Sequence, residues 1–402
     1  MAAYRLHPEK ISKSSIGSVS NLCQALGITL IELNQALQLD SEDRYRQKEI
    51  PKKDGSIRVV NNPHFLIRKI QRRINHRIFS NSHIIRWPDY IFGSIPNDFT
   101  SSSYVSKRDY ISCARQHCGA KSILSVDIKD FFNNINIEQV KAIFKDFLDY
   151  DEDVSETLAN ICCKDGSVVQ GALTSSYLAT LCLWRCEGHL VKALQHKGLV
   201  YTRLVDDITL SSKSHNYDFS YALRQIEKTL DSEGLPLNLS KTKIQNAGMA
   251  PMVVHGLRVD FKEPRLPSDE VRRIRASVNN LESTAAGPGY RASRCYRKDF
   301  NRCMGKVNKL QRVGHKQHGV LLAKLLAIQP LPSHMDIERA QRLIDRLVSD
   351  SKKPNYASSY WCYKRYFVAM ERLAILARSF PNKAEELKLL IAPIRPPRGS
   401  YN

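Results

Sequence analysis

The sequence predicts an α+β protein: an antiparallel sheet of the split β-α-β, ferredoxin-like kind, set between a helical lead-in and two helical C-terminal segments. Three observations predict it. SILSVD, LVYTRL and DITLSS are short apolar runs of strand length. Between and after them, apolar residues recur at helical spacing. Beyond residue 262 only the helical spacing remains.

The elements follow in chain order. SVSNLCQALGITLIELNQAL repeats Leu and Ile at helical spacing on both sides of Gly27, giving a helical lead-in over residues 1–45. IPKKDGSIRVV sets two apolar-edged runs around Asp54-Gly55, a strong hairpin signal, and the hairpin is basic. Pro63 then opens a helix with Leu66, Ile67, Ile70, Ile74 and Ile78 along one side and Arg68, Lys69, Arg72, Arg73 and Arg77 over the rest. SILSVDIKDFF is a strand ending at Asp127, followed by a helix that Asn136 caps and that carries Val140, Ile143 and Phe147. A second helix starts after QGALTSS, with Thr174 or Ser175 as cap and Leu178, Leu181 and Cys182 inward. LVYTRLVDDITLSS is an antiparallel hairpin with Asp206 and Asp207 at its tip. Asp218 caps the next helix, whose stripe is Phe219, Leu223, Ile226 and Leu230 and whose end is Gly234. LNLSKTKIQ and PMVVHGLRVDF read as strands, completing the split β-α-β order. Residues 271–330 hold thirteen Lys or Arg against two acids, with Tyr290, Tyr296 and Phe300 interleaved. The segment from residue 335 is helical, carries Tyr360, Trp361 and Tyr363, and ends in the proline-rich IAPIRPPRGSYN.

Composition narrows the function. Among 402 residues, 61 Lys or Arg against 40 Asp or Glu give a net charge of +21, with 42 % apolar residues. That apolar content excludes a disordered chain, and the charge points to polyanions, nucleic acid ahead of a membrane surface. No apolar run reaches the roughly 20 residues of a spanning helix. MAAYRLHPEK carries charge where a secretion signal would be apolar, so a cytoplasmic location is expected, with no membrane partner. Ten cysteines without a C-x-x-C pair read as reduced core thiols.

Three carboxylates carry the candidate chemistry. Phosphoryl transfer to a hydroxyl is served by two divalent cations about 3.5 to 4 Å apart, which carboxylates must hold. Asp127 ends one strand, and Asp206-Asp207 tip a hairpin that can pair beside it. Without metal they repel, which raises at least one pKa, and Mg²⁺ is the hard cation that suits them.

Seven blocks, IPKKDGSIR, CARQH, SVDIKDFF, QGALTS, YTRLVDDITLS, NLSKTK and VHGL, span about residues 50–257, over half of the chain. In this order they resemble the reverse transcriptases, most closely the bacterial retron and defence-associated branch related to group II intron enzymes. The resemblance implies a right-hand polymerase with fingers over 46–118, a palm over 119–262 holding a fingers-like insertion around 137–168, a basic thumb over 263–334 and a helical extension over 335–402. It makes Asp127 and Asp206 the main ligands of two Mg²⁺ ions, with Asp207 as third carboxylate and the Ile128 carbonyl as a supplement. Phe132 matches the bulky residue beneath the sugar, where a ring excludes a 2′-hydroxyl, and core packing is the other reading of Phe131 and Phe132. Lys52 and Arg58 match the clamp on the incoming triphosphate, Gln170-Gly171 the loop against nucleotide and template base, and Lys241 the lysine near the leaving pyrophosphate. Solvated hairpin charge, a helix-entry glutamine and a surface lysine are the alternatives. Leu204, Val205, His117, Arg291, Arg294, Arg297 and Lys298 are the implied primer and template contacts, a satisfied buried histidine being the other reading of His117.

The sequence also departs from the family pattern. Cys113 replaces Asn in the N-A-x-x-H element, His255 replaces Thr in V-T-G, Leu204 replaces Tyr in Y-x-D-D, and Leu173 and Ser176 replace the prolines of QGAPTSP. The implied activity is RNA-directed DNA synthesis: a primer hydroxyl attacks the α-phosphate of a deoxynucleoside triphosphate and pyrophosphate leaves. A dedicated structured noncoding RNA as template, a DNA product, anti-phage defence and an effector partner are implied with it, and oligomer formation is open. The rivals are template-independent or protein-primed synthesis by the same fold and a non-catalytic RNA-binding scaffold.

Overall fold

The computed structural model describes residues 4–52, 55–101, 104–354 and 356–396. Asp54 of the expected hairpin tip and the tail from residue 397 lie outside them. The chain divides into two compact units, Met1–Pro264 and Arg265–Asn402. Among the described residues no helix is long and apolar enough to cross a membrane.

The first unit opens with α1 (Val19–Leu26), capped by the Ser18 hydroxyl, and α2 (Leu30–Leu37), closed by a reciprocal Thr29–Glu32 capping box. Their apolar faces bury Leu22, Leu26, Leu33 and Ala36. Strands β1 (Tyr45–Pro51) and β2 (Ile57–Pro63) form the expected hairpin, in register from Tyr45↔Pro63 to Pro51↔Ile57. Pro63 closes that strand instead of opening a helix: α3 (Phe65–Ile74) begins two residues on, with the His64 ring as its cap. Its inward face is Ile67, Ile70, Gln71 and Ile74, so the basic residues are left to the other faces.

The central sheet takes β3 (Ile91–Phe92), β4 (Ser122–Asp127), β5 (Val200–Leu204), β6 (Asp207–Ser212) and β7 (Lys243–Asn246) in the order β7-β4-β6-β5-β3. The first four neighbours pair antiparallel and reproduce the split β-α-β order read from the sequence. The edge strand β3 joins parallel to β5 and is too short to show any alternation. Between β4 and β5 lie α4 (Ile137–Ala142), capped by Asn136, then α5 (Glu152–Cys162), α6 (Ser175–Leu181) and α7 (Glu187–His196). After β6 comes α8 (Ser220–Asp231), which buries Ala222, Ile226 and Leu230. These helices and the sheet share one core, with Leu124, Val126, Phe144, Leu158, Leu178, Ile208 and Ile226 among its members.

Two expected strands differ. Only the second half of LNLSKTKIQ pairs in the sheet, because Leu239–Lys241 is a 3-10 turn pinned through Asn238 to the end of β4. PMVVHGLRVDF doubles back on itself: Val253–Val254 pairs Leu257–Arg258 across His255-Gly256, both at positive φ.

The second unit is helical. Helices α9 (Ser268–Ala285), α10 (Arg294–Arg312) and α11 (His318–Ala327) pack together through Val278, Phe300, Val307 and Leu325. Helices α12 (His334–Ser351), α13 (Tyr360–Leu376) and α14 (Pro381–Ile391) enclose a separate core of Ile344, Leu347, Leu373 and Leu387.

Candidate active site at the sheet edge

Strand register brings the carboxylates together. Asp127 is the last residue of β4 and Asp207 the first of β6, and the two are direct partners. Leu204 pairs with Asp207, which leaves Val205-Asp206 as a two-residue turn. The Ile128 amide donates to the Asp206 carbonyl at 3.2 Å, fastening this turn to the end of β4. Val205 is left-handed, with φ 61°, and Asp206 is not. A turn with positive φ at its first position favours glycine, and a β-branched residue there stores strain of about 1–3 kcal/mol.

The charges are unbalanced. Asp127 Oδ2 accepts from Lys241 Nζ at 2.9 Å and from Asn238 Nδ2 at 3.1 Å, while the Asn238 amide donates to the Asp127 carbonyl at 2.8 Å. That ion pair raises the Lys241 pKa. Crowding by the surrounding protein, then the charges of Asp206 and Asp127, push Asp207 up to about 6. Asp206 is raised by burial first and by Asp127 next, with Lys241 and Arg58 opposing. Among the described residues no group of three His, Cys, Asp or Glu is closed around a cation position. The donor chemistry still fits a hard divalent cation: carboxylate oxygens that burial, and then mutual repulsion, keep protonated are those that added positive charge relieves.

The basic hairpin meets the Gln170-Gly171 loop. The Asn61 amide on β2 donates to the Gln170 carbonyl at 2.7 Å. Gly171 sits at φ 109°, and a Cβ there would lie 2.6 Å from the Asn61 carbonyl oxygen and 2.7 Å from Val60 Cγ1. From behind, the fully buried Gln71 of α3 accepts from the Leu173 amide at 3.0 Å and donates to the Tyr45 hydroxyl and the Ile161 carbonyl, and Asn75 donates to the Leu173 carbonyl at 2.7 Å. A proline at 173 could not make the first of these bonds. Lys52 and Arg58 are exposed on the hairpin. Phe131 is the core member of its pair at 3 % exposure, and Phe132 is half-buried with its ring centroid 6.0 Å away.

Other sequence-named residues turn inward. His117 is 1 % exposed, and its ring nitrogens lie 2.7 Å from the Ser211 and Thr202 hydroxyls, which is the satisfied buried histidine and leaves no ring nitrogen for nucleic acid. Leu204 pairs with Phe92 and fills the space over Gly93, where a Cβ would lie 2.7 Å from its Cδ1. Val205 packs against the core. In the second unit, Arg291 donates twice to the Gln329 carbonyl at 2.9 and 2.7 Å, and Arg297 binds Asp336 at 2.9 Å, so these two cations serve the helical packing. Arg294 and Lys298 are exposed. The two departures Cys113 and His255 touch, Sγ to Nε2, at 3.3 Å.

Sequence reasoning passed over Gln71, Asn238, Glu187 and Arg203. For Arg203 a signal existed: one charged residue inside the otherwise uncharged strand LVYTRLV, a position that calls for a buried partner.

Residues 50–272 match the family described as reverse transcriptase (RNA-dependent DNA polymerase). The chain is 46 % identical to the retron Ec48 reverse transcriptase of Escherichia coli over 98 % of this chain and 96 % of that one. It is 28 % identical to the retron Se72 reverse transcriptase of Salmonella heidelberg over 87 % and 89 % of the two chains. Among solved structures, apo telomerase from Candida Tropicalis aligns with a TM-score of 0.41 at 11 % identity over 75 % of this chain and 62 % of that chain. A sheet edge lined with paired aspartates and a family match across more than half of the sequence agree: the chain belongs to the reverse transcriptases, in their retron branch, and is an RNA-directed DNA polymerase of right-hand fold.

Proposed function

We propose that this polymerase extends a primer hydroxyl with deoxynucleoside triphosphates on a dedicated structured noncoding RNA, in the cytoplasm and in defence against phage with an effector partner. Asp127, Asp206 and Asp207, with the Ile128 carbonyl, would hold two Mg²⁺ ions. The observation that carries this reading is the direct pairing of Asp127 with Asp207 beside the Asp206 turn. When bound, the ions neutralise the carboxylates and stabilise charge on the attacking and leaving oxygens. The protein's own groups do the rest. Lys52 and Arg58 clamp the triphosphate, the arginine through its fork. The Gln170-Gly171 loop, held to β2, backs the nucleotide, and the Phe132 ring lies beneath its sugar. Lys241, already paired to Asp127, neutralises or protonates the departing pyrophosphate. In this reading residues 46–118 are fingers, 119–262 palm and 263–334 thumb, and Arg294 and Lys298 meet the phosphate backbone. The retron relatives support the noncoding RNA.

The test is to purify the protein with its bound nucleic acid, supply labelled deoxynucleotides and Mg²⁺, and sequence both the RNA and the DNA. The expected DNA is complementary to one co-purifying RNA and absent with Asp127→Asn or Asp206→Asn. DNA unrelated to the RNA, or full synthesis by Asp206→Asn, would overturn the proposal.

A further inference from the structure

Beneath the carboxylate turn lies a buried ion pair. Arg203 is 0 % and Glu187 2 % exposed. Every guanidinium N–H of Arg203 is used. Nε donates to Glu187 Oε1 at 2.6 Å, and Nη2 to Glu187 Oε2 at 2.7 Å and the Thr180 carbonyl at 2.8 Å. Nη1 donates to the carbonyls of Ala179 at 3.3 Å and Val205 at 3.0 Å. The Tyr201 hydroxyl donates to Glu187 Oε1 at 2.8 Å. One side chain thus joins the end of α6, the start of α7 and the turn that carries Asp206.

Packing does not explain this arrangement. Removing two charges from water is expensive, and apolar residues of similar volume fill such space as well or better. An apolar pair lacks a donor for the Val205 carbonyl, and Val205 is the residue held left-handed where glycine is the natural occupant. Released, a β-branched residue relaxes toward negative φ, and the Asp206 and Asp207 carboxylates that follow it swing with it.

We propose that Arg203 is a positioning residue for the polymerase reaction: its bond to the Val205 carbonyl holds the turn that presents Asp206 and Asp207, and Glu187 keeps the guanidinium aimed. This rests on the reading of those carboxylates as reactive. The guanidinium fork is required, because it reaches the turn and α6 while its other edge is bound to Glu187.

The experiment compares wild type, Arg203→Met/Glu187→Met, Arg203→Lys, and each with Val205→Gly added, in the full chain with its bound RNA. Two readouts are taken: backbone amide exchange over residues 200–212 without divalent metal, and kcat and deoxynucleotide KM with Mg²⁺. The apolar pair and the lysine variant are both expected to exchange faster at the turn alone, with kcat at least 30-fold lower and KM within threefold. Val205→Gly, which adopts the left-handed turn unaided, should return at least tenfold of the lost kcat in both backgrounds. Wild-type kcat in the apolar pair, or exchange that rises throughout the sheet with no recovery by Val205→Gly, would overturn the assignment. Should the double variant not fold, Arg203→Lys with and without Val205→Gly decides it. Asp206→Asn is the separate control: full activity there refutes the carboxylate reading, while the metal-free exchange still decides whether Arg203 holds the turn.

Discussion

Alanine at Gly171 tests the seam between the basic hairpin and the Gln170-Gly171 loop. The backbone there sits at φ 109°, a region alanine avoids, and the new Cβ would stand 2.6 Å from the Asn61 carbonyl oxygen. The dihedral penalty alone is about 1–3 kcal/mol. The obstructing atom is backbone, so relief requires β2 to move from the loop, which breaks the 2.7 Å bond from the Asn61 amide to the Gln170 carbonyl at a further loss of about 1 kcal/mol. The sum, roughly 2–4 kcal/mol, leaves a typical domain folded and lowers its melting temperature by roughly 5–10 °C. Under the proposed clamp of Lys52 and Arg58 on the triphosphate, separation of hairpin and loop weakens that hold, so deoxynucleotide KM should rise roughly tenfold for each 1.4 kcal/mol lost there. Gly55 supplies the control. It too has positive φ, 84°, but a Cβ there meets nothing within 4 Å, so Gly55→Ala carries the dihedral penalty without the collision. Thermal melts and primer-extension kinetics on both variants decide the matter. Equal melting temperatures and equal KM values for Gly171→Ala and Gly55→Ala would refute the claim that close approach of β2 positions the loop.

Three further outcomes are expected. Glu187→Ala leaves the Arg203 charge buried without its counter-ion and should cost about 3–5 kcal/mol in urea unfolding. Asp207 makes metal-free stability fall with rising pH: burial and the neighbouring aspartates push its carboxyl up to about 6 in the folded chain from an ordinary 3.8, so the folded state binds the extra proton and loses that advantage between about pH 4 and 6. That rise corresponds to about 3 kcal/mol, reduced to roughly 1 kcal/mol for a half-exposed group, and Asp207→Asn should flatten this part of the pH profile in EDTA. Arg294→Ala/Lys298→Ala should weaken RNA binding across sequences and reduce the salt slope by about 2, whereas Arg291→Ala, which frees the Gln329 carbonyl, should lower the melting temperature with the slope unchanged.

What could be read from sequence was what strand physics writes locally. The runs SILSVD and DITLSS announce buried central strands because both of their faces are covered, and their ends place Asp127 and Asp207 at the same edge once the strands pair. The hairpin YTRLVDDITLS likewise shows its turn through the acids that interrupt it. The pairing of Arg203 with Glu187 was hidden, because Glu187 opens a helix where an exposed acid would be ordinary. The roles of the cations in the second unit were hidden for a related reason. A count of lysines and arginines does not separate Arg291, bound to the Gln329 carbonyl beyond the end of α11, from Arg294, which faces solvent. His117 reads as a candidate contact in a motif and as a core residue with equal ease until Ser211 and Thr202 are seen on either side of its ring.

Four departures from the family pattern, Leu173, Leu204, Cys113 and His255, have local partners, and one of them can be tested against its partner. Leu173 stands where the family has proline, and its amide is the donor that Gln71 accepts at 3.0 Å. Leu173→Pro removes that donor while Gln71, whose Nε2 stays bound to Tyr45 and Ile161, cannot turn away to satisfy Oε1. An acceptor left buried in this way costs about 1–3 kcal/mol. Gln71→Met in the same chain removes the stranded oxygen, so the double variant should recover part of the loss, with a coupling of about 1–2 kcal/mol in a double-mutant cycle by urea unfolding. Additive single effects would mean that leucine at 173 is only a tolerated replacement. Coupling would show that this branch member fixes the Gln170-Gly171 loop through a side-chain amide where proline would otherwise stiffen the backbone, and that Leu204 over Gly93 and Cys113 against His255 are the next pairs to examine by the same cycle.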